Sequence, residues 1–207
     1  MRTCGFLRRL TVLSIAALAL GLGASQPAFA STGCPDRQLD RPFLPWLDPV
    51  YYTLAPNGGL ESGTDAWSLG GGARVVLGNE RFNVRAAGDQ YSLFLPSGSS
   101  ATTGTTCVEI LDGTMRFFAM NTGSLLSSLK VEVLYTDAFG TPRAQTIALM
   151  LAGARWQPTL PTALLANLVH PPLLTDGKVE VAFRFTPLGG LSGWRIDDVY
   201  VDPFKGR

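Results

Sequence analysis

The chain holds one histidine, His170, placed directly before Pro171 and Pro172. A single imidazole excludes sites that need two or three, which removes most catalytic zinc centres and the H-E-x-x-H proteases. Serine hydrolysis would need that same ring as its base, and no G-x-S-x-G elbow follows residue 30. A glycosidase can work with two carboxylates alone; Asp89, Glu109, Glu132 and Glu180 are present, but their spacing pairs no two of them. Rings that could stack on a sugar face are Trp46, Tyr51, Tyr52, Tyr91, Phe118 and Trp156, and none of them repeats along one outward face.

The N-terminus reads as an address. Arg2, Arg8 and Arg9 precede an apolar core at residues 10–22, and Ala28-Phe29-Ala30 forms a small-x-small cleavage site, so residues 1–30 are expected to be a secretory signal peptide. The apolar stretch runs about a dozen residues where a membrane span needs roughly 20. Cys4 lies before the apolar core, whereas a lipobox cysteine would follow it. The expected product starts at Ser31, is secreted to the extracellular space and has no membrane association after cleavage. In that oxidising compartment the remaining cysteines, Cys34 and Cys107, are expected to pair. The bridge would close a loop of about 73 residues, worth roughly 4 kcal/mol in the chain-entropy model.

Charge narrows the partner. The full chain has 17 basic and 16 acidic side chains; losing Arg2, Arg8 and Arg9 leaves 14 against 16, a net charge of −2. Beyond Arg8-Arg9 no basic cluster occurs, so nucleic acid is not an expected partner.

These residues must be held by strands. In residues 128–135, Leu129, Val131, Val133 and Tyr135 alternate with Lys130 and Glu132; in residues 178–185, Val179, Val181, Phe183 and Phe185 alternate with Glu180 and Arg184. Shorter candidates lie at residues 73–77, 92–95, 107–111, 116–120, 145–151, 155–159 and 194–201, separated by Gly, Asn, Asp and Pro turn signals. About nine or ten short strands in one domain predict an all-β fold, an antiparallel β-sandwich of the jelly-roll kind. Residues 161–169 could instead form a short helix. Residues 31–56, broken by Pro35, Pro42, Pro45 and Pro49, read as a leader anchored on the domain by Trp46, Tyr51 and Tyr52, with the sandwich at residues 57–207.

Two segments carry a family resemblance. Asn57-Gly58-Gly59-Leu60-Glu61-Ser62-Gly63 with Trp67 resembles the N-G-x-F-E-x-G…W opening of jelly-roll carbohydrate-binding modules of the galactose-binding-like superfamily, with Leu60 in place of the usual Phe. Trp194-Arg195-Ile196-Asp197-Asp198-Val199-Tyr200-Val201 resembles their closing strand. The resemblance implies that the two ends are neighbours and share a structural calcium through Glu61 and Asp197 or Asp198, whose hard oxygens suit that ion. It also implies a polysaccharide or cell-wall polymer as partner, with Tyr91 and Trp156 as candidate stacking residues. The leader with Cys34, Gly78-Asn79-Glu80, Ser92-Leu93-Phe94-Leu95-Pro96 and Arg116-Phe117-Phe118 resemble a set of exported actinobacterial proteins, which implies export without a particular activity. The leading reading is a secreted, non-catalytic protein that binds a neutral polysaccharide weakly; a wall-associated structural protein without a small ligand and a glycoside hydrolase are the alternatives.

Overall fold

The computed structural model of the protein describes residues 37–109, 113–137, 139–164, 178–191 and 193–202. Among them a single 3-10 turn (Leu44–Trp46) precedes thirteen strands: β1 (Thr53–Leu54), β2 (Trp67–Gly70), β3 (Arg74–Leu77), β4 (Tyr91–Pro96), β5 (Ser100–Thr103), β6 (Thr106–Glu109), β7 (Thr114–Asn121), β8 (Ser128–Thr136), β9 (Pro142–Met150), β10 (Gln157–Pro158), β11 (Thr162–Ala163), β12 (Lys178–Leu188) and β13 (Gly193–Val201). The first sheet runs β10-β7-β13-β4-β3, with β1 also on β13 and β11 also on β7. The second runs β2-β5-β12-β8-β9, with β6 also on β12. Every pairing is antiparallel, which makes the fold an all-β sandwich of the jelly-roll kind.

Alternation decides which side chains meet between the sheets. Leu129, Val131 and Val133 of β8 and Val181, Phe183 and Phe185 of β12 are buried, facing Leu93 and Leu95 of β4, Phe117 of β7 and Trp194 and Ile196 of β13 in one apolar layer. Trp194 brings a ring N–H into that layer and donates it to Ser127 Oγ at 3.1 Å, so the buried indole keeps a partner.

A second apolar cluster covers the outer face of the first sheet. Phe43 and Tyr52 pack with Phe118 of β7 and Tyr200 of β13, and Trp46 and Phe82 close over them. The leader is held there by polar contacts as well: Tyr52 Oη donates to Asp48 at 2.8 Å, and Asp48 pairs with Arg116. Burial drives the Tyr52 phenol up to about 12. Tyr51, expected as an anchor, is half exposed, and Phe43 takes its place.

The helical option at residues 161–169 is corrected at its start. Thr162 and Ala163 form β11 against Met115 and Thr114 of β7, because an open sheet edge satisfies their backbone groups without the cost of nucleating a helix behind a proline. The rest of that segment lies outside the described residues.

Candidate functional site

A strictly alternating β13 would send Asp197 and Asp198 to opposite faces. Its register with β7 slips between Asp197 and Tyr200, and Asp198 adopts φ 47° there. Aspartate tolerates this left-handed conformation better than most residues, and the resulting bulge leaves both carboxyls fully buried. The opening segment lies directly beside it. Val199 N–H donates to Gly58 O at 3.1 Å, and a Cβ on Gly59 would stand 2.9 Å from Asp198 Oδ1, so glycine permits the close approach. Asn57 ties that segment together: its Oδ1 accepts Ser62 N–H, its Nδ2 donates to Gly63 O and Asp65 O, and its own carbonyl accepts Trp67 Nε1–H.

Five acids surround the bulge in two different states. Asp197 accepts the N–H groups of Glu80 and Asp198, Glu80 accepts those of Phe82 and Val84, and Glu61 Oε1 accepts those of Gln90 and Tyr91. Those three act as anchors for the β3–β4 connection. By contrast, both Asp198 oxygens and Asp89 Oδ2 are buried without a hydrogen-bond partner. Arg85 is the nearby cation, with its Nη2 at 2.5 Å from Asp89 and its Nε at 4.0 Å from Asp198. Burial, reinforced by Glu80 and Asp89 and opposed by Arg85, pushes the Asp198 carboxyl up to about 7. Burial and the neighbouring Asp198 push Asp197 to about 9.

The open oxygens fit a hard cation. Glu61 and Asp197, expected as ligands, already serve backbone N–H groups, so Asp198 is the member of the expected set with unused oxygens, and Asp89 joins it. Among the described residues no three His, Cys, Asp or Glu side chains converge as a finished metal cage, so a calcium there would need backbone carbonyls to complete its shell.

The second sheet presents a different surface. Its outer face has a groove of about 490 Å³, lined among others by Leu134, Ala144, Ala182, Thr105, Glu180 and Arg184. The strand register explains its chemistry. Ala182, Leu134 and Ala144 lie opposite one another across β12, β8 and β9, making an apolar strip. Two residues along, Thr102, Arg184, Glu132 and Thr146 form a parallel polar row. In that row Glu132 accepts from Arg184 Nε at 2.8 Å and lies 3.1 Å from Lys130 Nζ. The hydrogen bond from Arg184, with help from Lys130, holds the Glu132 carboxyl below its ordinary range. A carboxylate held ionised in this way is poorly suited to act as the general acid of glycoside hydrolysis.

The other expected positions are scattered. Tyr91 begins β4 opposite Leu77 and packs its half-buried ring against the core. Trp156 stands at the edge of the aromatic cluster on the first sheet, with the Arg195 guanidinium 5.6 Å from its ring centre. The two rings therefore line no common face. Cys107 lies on β6 opposite Glu180, while Cys34, His170 and residues 1–30 lie outside the described residues. Asp89 and Glu132 occupy different sheets' surroundings and do not face each other as a catalytic pair. The groove strip of two alanines and a leucine escaped sequence reading because those residue types carry no chemical signature; the outward Glu180 and Arg184 were its only signal.

Several solved carbohydrate-binding modules are similar to this chain. TmCBM61, solved in complex with β-1,4-galactotriose, is 18% identical over 70% of this chain and 94% of its own, with a TM-score of 0.39. The C-terminal family 22 carbohydrate binding module of Clostridium thermocellum Xyn10B is 16% identical, covering 70% of this chain and 91% of its own, with a TM-score of 0.43. The CBM22-1 xylan-binding domain of Paenibacillus barcinonensis Xyn10C is 13% identical, covering 74% and 94%, with a TM-score of 0.47. The likeness is one of fold. No protein-family model and no curated protein matches the chain, so the wider resemblance to exported actinobacterial proteins gains no support there.

Proposed function

We propose that the mature protein is a secreted, non-catalytic module that binds a neutral polysaccharide weakly in the groove on the second sheet. The observation that carries this reading is the apolar Ala182–Leu134–Ala144 strip running beside the polar Thr102–Arg184–Glu132–Thr146 row. A sugar ring has the matching character: C–H groups on its faces need a dry, flat contact, and hydroxyls at its rim need donors and acceptors at fixed places. Opposite charges within the row neutralise one another, which favours an uncharged polymer over an ionic one. Trp156 is the competing contact, on the other sheet. Export with cleavage after Ala30, a Cys34–Cys107 bridge and a calcium at Asp198 with Asp89 belong to the same reading, the last two as supports of the fold.

Affinity electrophoresis of the secreted protein in gels containing neutral or charged polysaccharides tests the reading. Ala144 is exposed on β9, so Ala144→Asp places a carboxylate in the groove without disturbing the core. Retardation by a neutral polymer that Ala144→Asp abolishes and Trp156→Ala leaves intact is expected. The reverse pattern would move the site to the first sheet, and retardation that added salt removes would replace the neutral ligand by a charged one. Retardation by no polymer would leave the structural-protein reading as the better account. The N-terminal sequence and non-reduced mass of the same sample check the cleavage and the bridge.

A further inference from the structure

Five connections gather at one end of the sandwich: residues 71–73, 97–99, 122–127, 151–156 and 189–191. The register brings them together, since Gly70 lies opposite Ser100, Pro96 opposite Gly193, Leu188 opposite Ser128 and Leu129 opposite Met150. Backbone contacts then join them into one surface. Ser124 N–H donates to Leu191 O and Asn121 N–H to Gly153 O, each at 3.0 Å. Gly71 approaches Gly98 so closely that a Cβ on it would collide with the Gly98 carbonyl.

Four leucines project from this end into solvent: Leu125, Leu126, Leu151 and Leu191 are 75%, 93%, 76% and 87% exposed. Single exposed leucines are ordinary, but here they stand on three neighbouring connections of the same surface. Its charge is equally one-sided. No carboxylate lies in the five connections, whose only charged residue is the exposed Arg155, and Arg74 opens β3 immediately beyond one of them. The acids of the other connections, Glu61, Asp65, Glu80, Asp89 and Asp137, belong to the opposite end.

We propose that this end docks peripherally on an anionic lipid surface, with the leucines entering the interfacial layer and Arg155 and Arg74 meeting headgroup phosphates. Apolar side chains on carboxylate-free connections enter that layer with little desolvation cost, and flanking cations add attraction to anionic lipid. Charge argues against a second copy as the occupant, because a self-contact would bring the cations of both copies together without a carboxylate between them. No helix among the described residues is long and apolar enough to cross a membrane, and docking by loop tips needs none. The proposal thus revises the expectation that the cleaved protein has no membrane association, which weighed spans alone.

Co-sedimentation of the secreted protein with vesicles tests it. Binding to phosphatidylglycerol–phosphatidylcholine vesicles above binding to pure phosphatidylcholine is expected. The double variant Leu125→Ser, Leu126→Ser should partition at least about tenfold more weakly, since burying even one of the two leucines is worth about that factor or more. Its melting temperature should be unchanged, because neither side chain is packed. Arg155→Gln should reduce the preference for the anionic lipid while the dependence on the leucines persists. Absence of sedimentation with both vesicles, or sedimentation indifferent to the double substitution, would overturn the proposal. Dimers in equilibrium ultracentrifugation that vanish with that same substitution would reassign the end to self-association.

Discussion

Asp198 holds two buried oxygens that accept no hydrogen bond, and a buried carboxylate in that state destabilises the fold unless a cation meets it. Arg85 supplies part of that compensation from 4.0 Å, and a calcium would supply more. Asp198→Asn keeps a side chain that tolerates the positive φ while removing the charge. In chelator the variant should melt a few degrees above the parent; in millimolar calcium the parent should gain by mass action and the variant should not. A parent melting curve indifferent to both chelator and calcium would show that Arg85 alone balances the site. Glu132 presents the opposite case. Its folded value lies below the ordinary 4.5, so the stability it adds is fully present above about pH 4.5 and is lost as pH falls through the lower folded value. Arg184 is 36% exposed, so solvent screens the pair, and about 1 kcal/mol, or about 3 °C, is the expected scale. Melting followed from pH 7 to pH 3 should show Glu132→Gln converging on the parent at the acid end; a constant gap would mean that packing, and not charge, sets the difference.

At the scale of elements, legibility followed side-chain pattern. The long strands β8 and β12 announce themselves because Leu129, Val131, Val133 and Val181, Phe183, Phe185 repeat with a period of two, and the structure buries each of them. β1, β2 and β5 are not legible: Thr53–Leu54 is too short for a period, Trp67–Gly70 shows only one alternation before it runs into glycines, and Ser100–Thr103 consists of small residues without an apolar repeat. They are strands because partners exist, β13 for the first and β5 and β12 for the others. The bulge in β13 is a similar case. The Asp197-Asp198 pair marked the place as chemically unusual, but the slip that buries both depends on pairing with β7, which no local rule contains. Pairing also creates the groove, because Ala182, Leu134 and Ala144 acquire a shared surface only once three strands are in register.

At the scale of the molecule, the leader is part of the fold and not an appendage. The sandwich buries one face of its first sheet against the second sheet, but Phe118 and Tyr200 on the other face would be a large apolar patch in water without a cover. Phe43 supplies that cover: it is fully buried, its ring centre lies 5.5 Å from Phe118 and 5.8 Å from Tyr200, and the Arg116 guanidinium sits 4.1 Å from its centre. Deleting a buried Phe ring costs about 3–5 kcal/mol, from lost transfer energy plus the cavity. For a domain of this size that corresponds to about 10 °C in melting temperature. Tyr51, also in the leader, is 47% exposed, and Tyr51→Ala should change the melting temperature by no more than about 2 °C. Thermal denaturation of Phe43→Ala and Tyr51→Ala beside the parent measures both. A Phe43→Ala loss as small as that of Tyr51→Ala would mean that the leader rests on the sheet without contributing to its stability, and the aromatic face beneath it would then be available to a ligand. A large and selective loss would show that the leader covers the aromatic face as part of the fold, which keeps the proposed binding on the groove of the second sheet.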